Sequence, residues 1–145
     1  MNKKDVFPIT QEVAESIGLT YERDNNVIYL TNNNEDEITI VPYIKMANVV
    51  SLYIHVFNWD KAIDEESRAY DINQLNLQCN DCSLYLIAPT EEQPNEFRMI
   101  AKTDIILLSK THFKRKIKES IETLINTKKH YVDILVNVIN QLTQK

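Results

Sequence analysis

The segment VVSLYIHVFN, residues 49–58, decides the fold class of this 145-residue chain. Its side chains alternate between two faces, which is the period of a β-strand. Both faces are unusually apolar, so the strand is expected to be central in a sheet or covered by a partner. One face carries Val50, Leu52, Ile54 and Val56, and the other carries Ser51, Tyr53, His55 and Phe57.

Shorter strand signals surround this segment. Pro42 interrupts the strand pattern of residues 37–44, and because proline cannot donate to a ladder, that strand is predicted to be an edge strand or to be bulged there. The asparagine-rich TNNNED that precedes it suits a turn. Further strands are predicted at residues 27–30, 83–89 and 96–102, with a short additional one at 104–108.

Two helical segments lie among these strands. Residues 10–19 read as a short helix, with Thr10 as its N-cap and Gly18 just beyond its last turn. Residues 59–77 carry apolar side chains at helical spacing over about half of the circumference. We therefore predict one helix before the sheet and one between its strands.

A third helix, beginning at Thr111, carries the clearest pattern in the chain. Lys128 alone interrupts its apolar stripe, and some 32 continuous residues would span about 48 Å. Since a compact chain of this size has a radius of gyration of about 15 Å, the helix should overhang, break near residues 126–130 or pack on a second subunit. The stripe consists of Phe113, Ile117, Ile121, Leu124, Tyr131, Leu135, Val138, Ile139 and Leu142.

These elements define the expected fold class. The predicted order is α-β-β-β-α-β-β-(β)-α in a single domain that covers residues 1–145. An antiparallel sheet of about five strands, with its helices packed on one side, makes this an α+β sandwich.

The segment YDINQLNLQCND, residues 70–81, leads into the strand CSLYLIAP, a second strand and the long final helix. This arrangement resembles the YbjN-type family of bacterial regulators attributed to sensory transduction. In that family a helix with an N-x-x-N signature precedes the fourth strand, and Asn73 and Asn76 match it, although the glycine usual at the following joint is missing from QCNDCS. The resemblance implies a fold like that of type III secretion chaperones, and a small cytosolic homodimer that binds other proteins and has no active site.

The composition is that of a soluble globular protein, with 43% hydrophobic and 26% charged residues. No run approaches the ~20 apolar residues of a membrane helix, so no contact with a membrane is expected. The start, MNKKDVFPIT, has no apolar stretch behind its lysines, which argues against a secretory signal. Two cysteines in such a chain favour a reducing compartment, and the predicted location is the cytoplasm.

Charge is unevenly distributed along the chain. The net charge is −10 over residues 1–108 and +5 over residues 109–145. This asymmetry favours either an acidic partner for the basic part, or pairing of the two parts within the fold or across a dimer. The basic cluster HFKRKIK, residues 112–118, could contact nucleic-acid phosphates through Lys114, Arg115, Lys116 and Lys118. We expect a solvated helix face instead, because the chain is acidic overall.

Cys79 and Cys82 form a C-x-x-C pair. A structural zinc ion needs about four ligands, and the three histidines of the chain are scattered. A redox pair usually lies at a helix N-terminus, whereas this pair follows the end of a predicted helix. We therefore expect thiols at a helix–strand joint and no metal or cofactor, with a zinc ion shared across a dimer and redox chemistry as the alternatives. Asn73 and Asn76 are expected to bond the backbone of the same joint, with contact to a ligand as their alternative.

No catalytic pattern is present in the sequence: it has no nucleophile elbow, no phosphate-binding glycine loop and no H-E-x-x-H, so an enzyme is not expected. The prediction is a chaperone- or adaptor-like protein-binding module that acts through apolar surface as a homodimer. Tyr53, His55 and Phe57 are predicted to contact the partner protein. The alternative is a regulator that binds nucleic acid through HFKRKIK.

Overall fold

The described residues fold around a six-stranded antiparallel sheet. A computed structural model describes residues 1–33, 36–42, 48–60, 82–92 and 94–143, with only the backbone of residues 59, 60 and 134–143. The strands are β1 (Thr20–Asp24), β2 (Val27–Thr31), β3 (Glu37–Val41), β4 (Val49–Asp60), β5 (Ser83–Ile87) and β6 (Glu96–Ile106). A 3₁₀ turn, Lys3–Asp5, precedes helix α1 (Val6–Ser16), and helix α2 (Lys110–Thr143) follows β6. The predicted α+β class with an antiparallel sheet is confirmed.

Side chains alternate between the two faces of the sheet along each strand, and one of these faces is buried. The strand order is β1-β2-β3-β4-β6-β5. Residues directly opposite each other share a face, and the register pairs Ile38 with Ile54 and Ile40 with Leu52, all of them buried. Helix α2 packs on β4 and β6, and α1 packs on α2 and β1. We call this side the helix face of the sheet and the opposite side the open face.

Strand β4 lies inside the sheet, between β3 and β6, and is longer than predicted. Trp59, predicted to begin a helix, pairs with Phe97 in the ladder between β4 and β6. That start of the predicted helix is therefore wrong, because the cross-strand ladder continues to Asp60. The rest of the predicted helix falls in residues 61–81, outside the described residues.

A β-bulge changes the alternation near the end of β4. His55 pairs with Ile100, but the next paired residue is Phe57, opposite the buried Met99. The bulge leaves Val56 as an extra residue, so Val56 and Phe57 both lie toward the helix face and pack with the core. The prediction that Phe57 shares a face with Tyr53 and His55 is wrong for this reason.

Three further strand predictions are corrected. Strand β1 was not predicted; its partner is β2, joined through Asn25 and Asn26, and Asn25 takes the positive φ of 53° that asparagine tolerates. Strand β3 is an interior strand that ends at Val41, so Pro42 lies beyond it and makes neither an edge nor a bulge. The strands predicted at 96–102 and 104–108 form one continuous strand, β6.

Helix α1 begins earlier than the sequence indicated. Thr10 is an interior residue and not the N-cap, because the 3₁₀ turn leads directly into Val6 and Phe7, which are buried. Gly18 lies beyond the helix end, as predicted, with a φ of 80° that glycine adopts without strain.

The interior position of Thr10 in α1 can be tested by substitution. The side chain is fully buried, and its hydroxyl has no hydrogen-bond partner among the described residues. Thr10→Val keeps the volume and removes the unsatisfied hydroxyl, so we expect the free energy of unfolding to rise by about 1 kcal/mol. Thr10→Ser, the control, keeps the hydroxyl and loses a methyl group, so it should destabilise by a similar amount. Urea denaturation measures both, and a loss of about 1 kcal/mol in Thr10→Val would restore the role of N-cap.

Helix α2 is continuous through residues 126–130, where a break was one of three predicted outcomes. Ser109 precedes it and caps it: the Ser109 hydroxyl accepts a hydrogen bond from the backbone N–H of His112 at 3.1 Å. The stripe is buried within this one chain as far as Tyr131. Its predicted continuation falls on residues 134–143, of which only the backbone is described.

Lys128, the interruption in the stripe, forms an ion pair across the molecule. Its Nζ lies 2.6 Å from Oδ1 of Asp36, and the two side chains are only 24% and 23% exposed. Asn32 supports the carboxylate by donating from Nδ2 to Oδ2 at 3.2 Å. The lysine therefore connects the middle of α2 to the loop between β2 and β3.

Candidate docking surface on the open face of the sheet

The open face carries a concentration of aromatic and apolar side chains. Across neighbouring strands, Thr39 lies opposite both Tyr29 and Tyr53, and Tyr53 lies opposite Lys102. In the next row, Ile100 lies between His55 and Tyr85. Both helices pack on the other side of the sheet, so within the described ranges no helix covers these two rows.

Tyrosine hydroxyls give this face a polar component. Burial, and in addition the neighbouring Tyr29, raise the pKa of Tyr53 above its ordinary value. Both rings are half-buried at the centre of the face. Because the shift is upward, the Tyr53 hydroxyl stays neutral at physiological pH, and it can donate or accept a hydrogen bond from a docked protein.

Near the bulge, a hydrogen bond holds the side chain of His55 in place on the open face. The Nε2 atom of His55 lies 2.6 Å from Oδ1 of Asn58, and the pair brackets the bulge at Val56. His55 itself is exposed. The contact fixes the imidazole ring against the strand, so a partner would meet a positioned ring on this part of the surface.

Two fixed charges on this face, those of Lys102 and Asp104, are paired with each other. Lys102 lies 3.8 Å from Asp104, and Asp104 also accepts a hydrogen bond from the hydroxyl of Ser51, which is opposite it in the ladder. A surface of this kind can exclude water around a docked side chain without leaving a bare charge at its centre.

A groove of about 570 Å³ adjoins the face between the second half of β6 and the start of α2. Ile106 and Leu108 are 60% and 64% exposed at this place. The groove also contains His112, whose Nδ1 is buried without a partner among the described residues, together with Lys116 and Asp104. Its mixture of charged and apolar side chains extends the contact surface.

The predicted contact residues are placed in two groups. Tyr53 and His55 lie on the open face, whereas the bulge moves Phe57 toward the helix face. The same surface also contains Tyr29, Tyr85 and Ile100, which were not predicted from the sequence. Tyr85 alternates with Leu84 and Leu86, so the period of two in SLYLI contained the signal, but the neighbours across β6 became known only with the register.

Comparison with known proteins identifies a solved structure with a similar fold. No family model matches the chain, and no curated protein matches it. Among solved structures it is similar to YbjN from E. coli, described as a "putative transcription regulator", with a TM-score of 0.60. The two chains share a fold. The match covers 81% of this chain and 84% of YbjN at 12% identity, so the fold predicted from the resemblance to YbjN is confirmed, and membership of its family stays a prediction.

The other candidate residues do not converge on a second site in the described part of the chain. Cys82 is half-buried, with its Sγ 3.6 Å from Oγ1 of Thr127, while Cys79, Asn73 and Asn76 lie outside the described residues. The metal and redox alternatives are therefore untested. In the described ranges no three histidine, cysteine, aspartate or glutamate side chains are grouped as metal ligands would be.

The basic cluster at the start of α2 meets acidic residues of the N-terminal region. Nζ of Lys114 lies 2.7 Å from Oε1 of Glu12, and Nζ of Lys110 lies 3.9 Å from Oδ1 of Asp5. With the pair of Lys128, these contacts join the basic and acidic parts of the sequence within one chain. Among the described residues, no helix has the length and hydropathy of a membrane span.

Proposed function

We propose that this protein is a non-catalytic protein-binding module, a chaperone- or adaptor-like regulator that acts as a homodimer. The observation that supports this most directly is the open face, where Tyr53, His55 and Tyr85 lie on strands with no described helix above them. Tyrosine provides a large apolar contact area with a polar tip, which suits protein interfaces. The description of YbjN as a regulator agrees with a regulatory role.

The C-terminal stripe no longer supports association over its described part. Its surplus apolar area was one reason to expect a dimer, but Phe113, Ile117, Ile121, Leu124 and Tyr131 are buried within the chain itself. The proposal therefore depends on the open face and on the exposed Ile106 and Leu108 beside it. Contiguous exposed apolar patches of this kind commonly mark interaction sites.

The described contacts do not favour the nucleic-acid alternative. Lys114 is paired with Glu12, and Lys116 lies 3.3 Å from Glu119. With two of its four cations already paired with carboxylates, the cluster would release fewer counterions from a nucleic acid and bind phosphates less strongly. We therefore keep protein binding as the proposed function.

Affinity capture from native cells tests the proposal. The double variant Tyr53→Ala/His55→Ala removes two ring contacts from the open face and leaves the buried residues unchanged. We expect a specific protein to copurify with the wild type and the double variant to retain at least tenfold less of it. The purified partner should then show the same loss of affinity by calorimetry.

Lys118→Ala, on the exposed side of α2, is the matched control and should retain the partner at the level of the wild type. Circular dichroism confirms that all three proteins are folded. Equal retention by the double variant and the control would contradict a docking role for the open face. A strictly monomeric wild type in light scattering at high concentration would contradict the homodimer.

A further inference from the structure

Carboxylates surround Tyr29 on the open face of the sheet. Glu22 lies directly opposite Tyr29 in the ladder between β1 and β2. Asp24 on β1 and Glu37 on β3 are its diagonal neighbours, which is within reach of long side chains. All three acidic residues are exposed, and none of them forms an ion pair with another described residue. Three negative charges therefore lie around one aromatic ring without a described counter-charge.

The charges of the open face are balanced on β6 and unbalanced on β1, β2 and β3. On β6, two cations alternate with two carboxylates on this face: Glu96, Arg98, Lys102 and Asp104. Arg23 is the one lysine or arginine in β1, β2 and β3, and it lies on the helix face, opposite the buried Ile28. A partner with complementary charge would thus bring its positive groups to the side formed by β1, β2 and β3.

Tyr29 and Tyr53 provide an aromatic platform beside these carboxylates. Both lie opposite the small Thr39, both are half-buried, and after burial itself the approach of Tyr29 is a further cause of the raised pKa of Tyr53. A guanidinium group can stack on such a ring while it donates two parallel hydrogen bonds to a carboxylate. The stacking already occurs on the other side of β1, where Cζ of Arg23 lies 3.5 Å from the centre of the Phe7 ring.

We propose that the part of the open face formed by β1, β2 and β3 binds an arginine-rich segment of a partner protein. Guanidinium groups of the segment stack on Tyr29 and pair with Glu22 and Glu37, and its neighbouring apolar side chains reach Tyr53. This inference rests on the protein-binding function proposed above and specifies the chemistry of the partner. The same carboxylates repel acidic proteins and the phosphates of nucleic acids, so they also select against those partners.

A pair of peptides tests the proposal on the intact protein. The probe is a short peptide in which arginine and leucine alternate, and its control carries citrulline, an uncharged analogue of nearly the same shape, at each arginine position. Calorimetry should give the arginine peptide an affinity about tenfold higher than that of the citrulline peptide, since hydrogen bonds between charged groups are lost in the control. Amide NMR shifts should change mainly in β1, β2 and β3. Equal affinities, or shifts concentrated elsewhere, would overturn the proposal.

Neutral variants of the protein provide the second measurement. Glu22→Gln/Glu37→Gln removes two carboxylates at nearly constant volume, and it should weaken binding of the arginine peptide about tenfold. Glu91→Gln/Glu92→Gln is the matched control, because it removes the same net charge at two exposed positions between β5 and β6. The control should change the affinity by no more than about twofold, because charges at that distance are screened by salt. Equal weakening in the two variants, or none in the first, would contradict the proposal.

Capture of the native partner separates this inference from the proposed function. Since all four substituted positions are exposed, thermal unfolding of both variants should match the wild type. If a partner is captured through Tyr53 and His55 but Glu22→Gln/Glu37→Gln retains it at the level of the wild type, the open face binds protein and the chemistry assigned to the partner is wrong. A wild type that captures no protein and binds neither peptide overturns both.

Discussion

Phe113→Ala is expected to lower the free energy of unfolding by about 3–5 kcal/mol, because the ring, which belongs to the first turn of α2, has 0% exposure. Removing it leaves a cavity between the helix and the sheet that the close-packed surroundings fill only in part. Domains of this size are stable by about 5–15 kcal/mol in total. The variant should therefore be partly unfolded at 37 °C, and urea denaturation at 10–25 °C should show its shifted midpoint.

The matched control is Lys118→Ala on the exposed side of the same helix. It should change the free energy of unfolding by no more than about 0.5 kcal/mol, since it removes no buried contact. A loss below about 1 kcal/mol in Phe113→Ala would show that α2 is not docked on the sheet as described. The burial of the C-terminal stripe within one chain would then be wrong.

Lys128→Ala is expected to lower the free energy of unfolding by about 2 kcal/mol. The pair between Lys128 and Asp36 is three-quarters buried, which places it between exposed pairs worth about 0–1 kcal/mol and buried pairs whose disruption costs about 3–5 kcal/mol. Without the ammonium group, the Asp36 carboxylate keeps only the amide of Asn32 among its described partners. A double-mutant cycle with Asp36→Asn should give a coupling energy of about 1–2 kcal/mol in urea denaturation. Additive effects would contradict the ion pair.

The coupling energy between Lys128 and Asp36 should decrease at low pH. Burial tends to raise the pKa of Asp36, but the hydrogen bonds from Lys128 and Asn32 and the charge of Lys128 outweigh it, so the pKa lies below its ordinary value. A carboxylate with a lowered pKa contributes stability above the pKa of the unfolded chain, about 4, and loses it as the pH falls through the folded pKa. The coupling energy should thus be constant from pH 5 to 7 and decline below about pH 4.

The spacing of apolar residues in the sequence predicted those elements in which the spacing repeats over many residues. Strand β4 and helix α2 each contain enough buried residues for the period to stand out, and both were found in the correct class. Strand β1 was missed because Tyr21 is the one strongly apolar residue in TYERD, so its pairing depends on the turn at Asn25. Such a turn depends on backbone conformation and produces no periodic pattern of apolar residues in the sequence.

The positions that sequence reasoning misplaced depend on contacts between distant segments. Phe57 changed faces because a bulge is set by cross-strand pairing with Met99, and nothing in the order of the residues in β4 reveals it. Lys128 looked like a defect in an apolar stripe because its partner, Asp36, lies near the other end of the chain. On the candidate surface, Tyr53 and His55 were predicted correctly as neighbours on one face, while Tyr85 needed the register of β6.

Helix α2 has a consequence for synthesis on the ribosome. The six described strands leave the exit tunnel before the helix that packs on β4 and β6, because α2 begins only at Lys110. Until it emerges, a nascent chain whose sheet has formed exposes residues such as Leu52, Ile54 and Met99 to solvent. Chain termination, or a pause, before that point would leave these apolar side chains uncovered in an intermediate that is prone to aggregation.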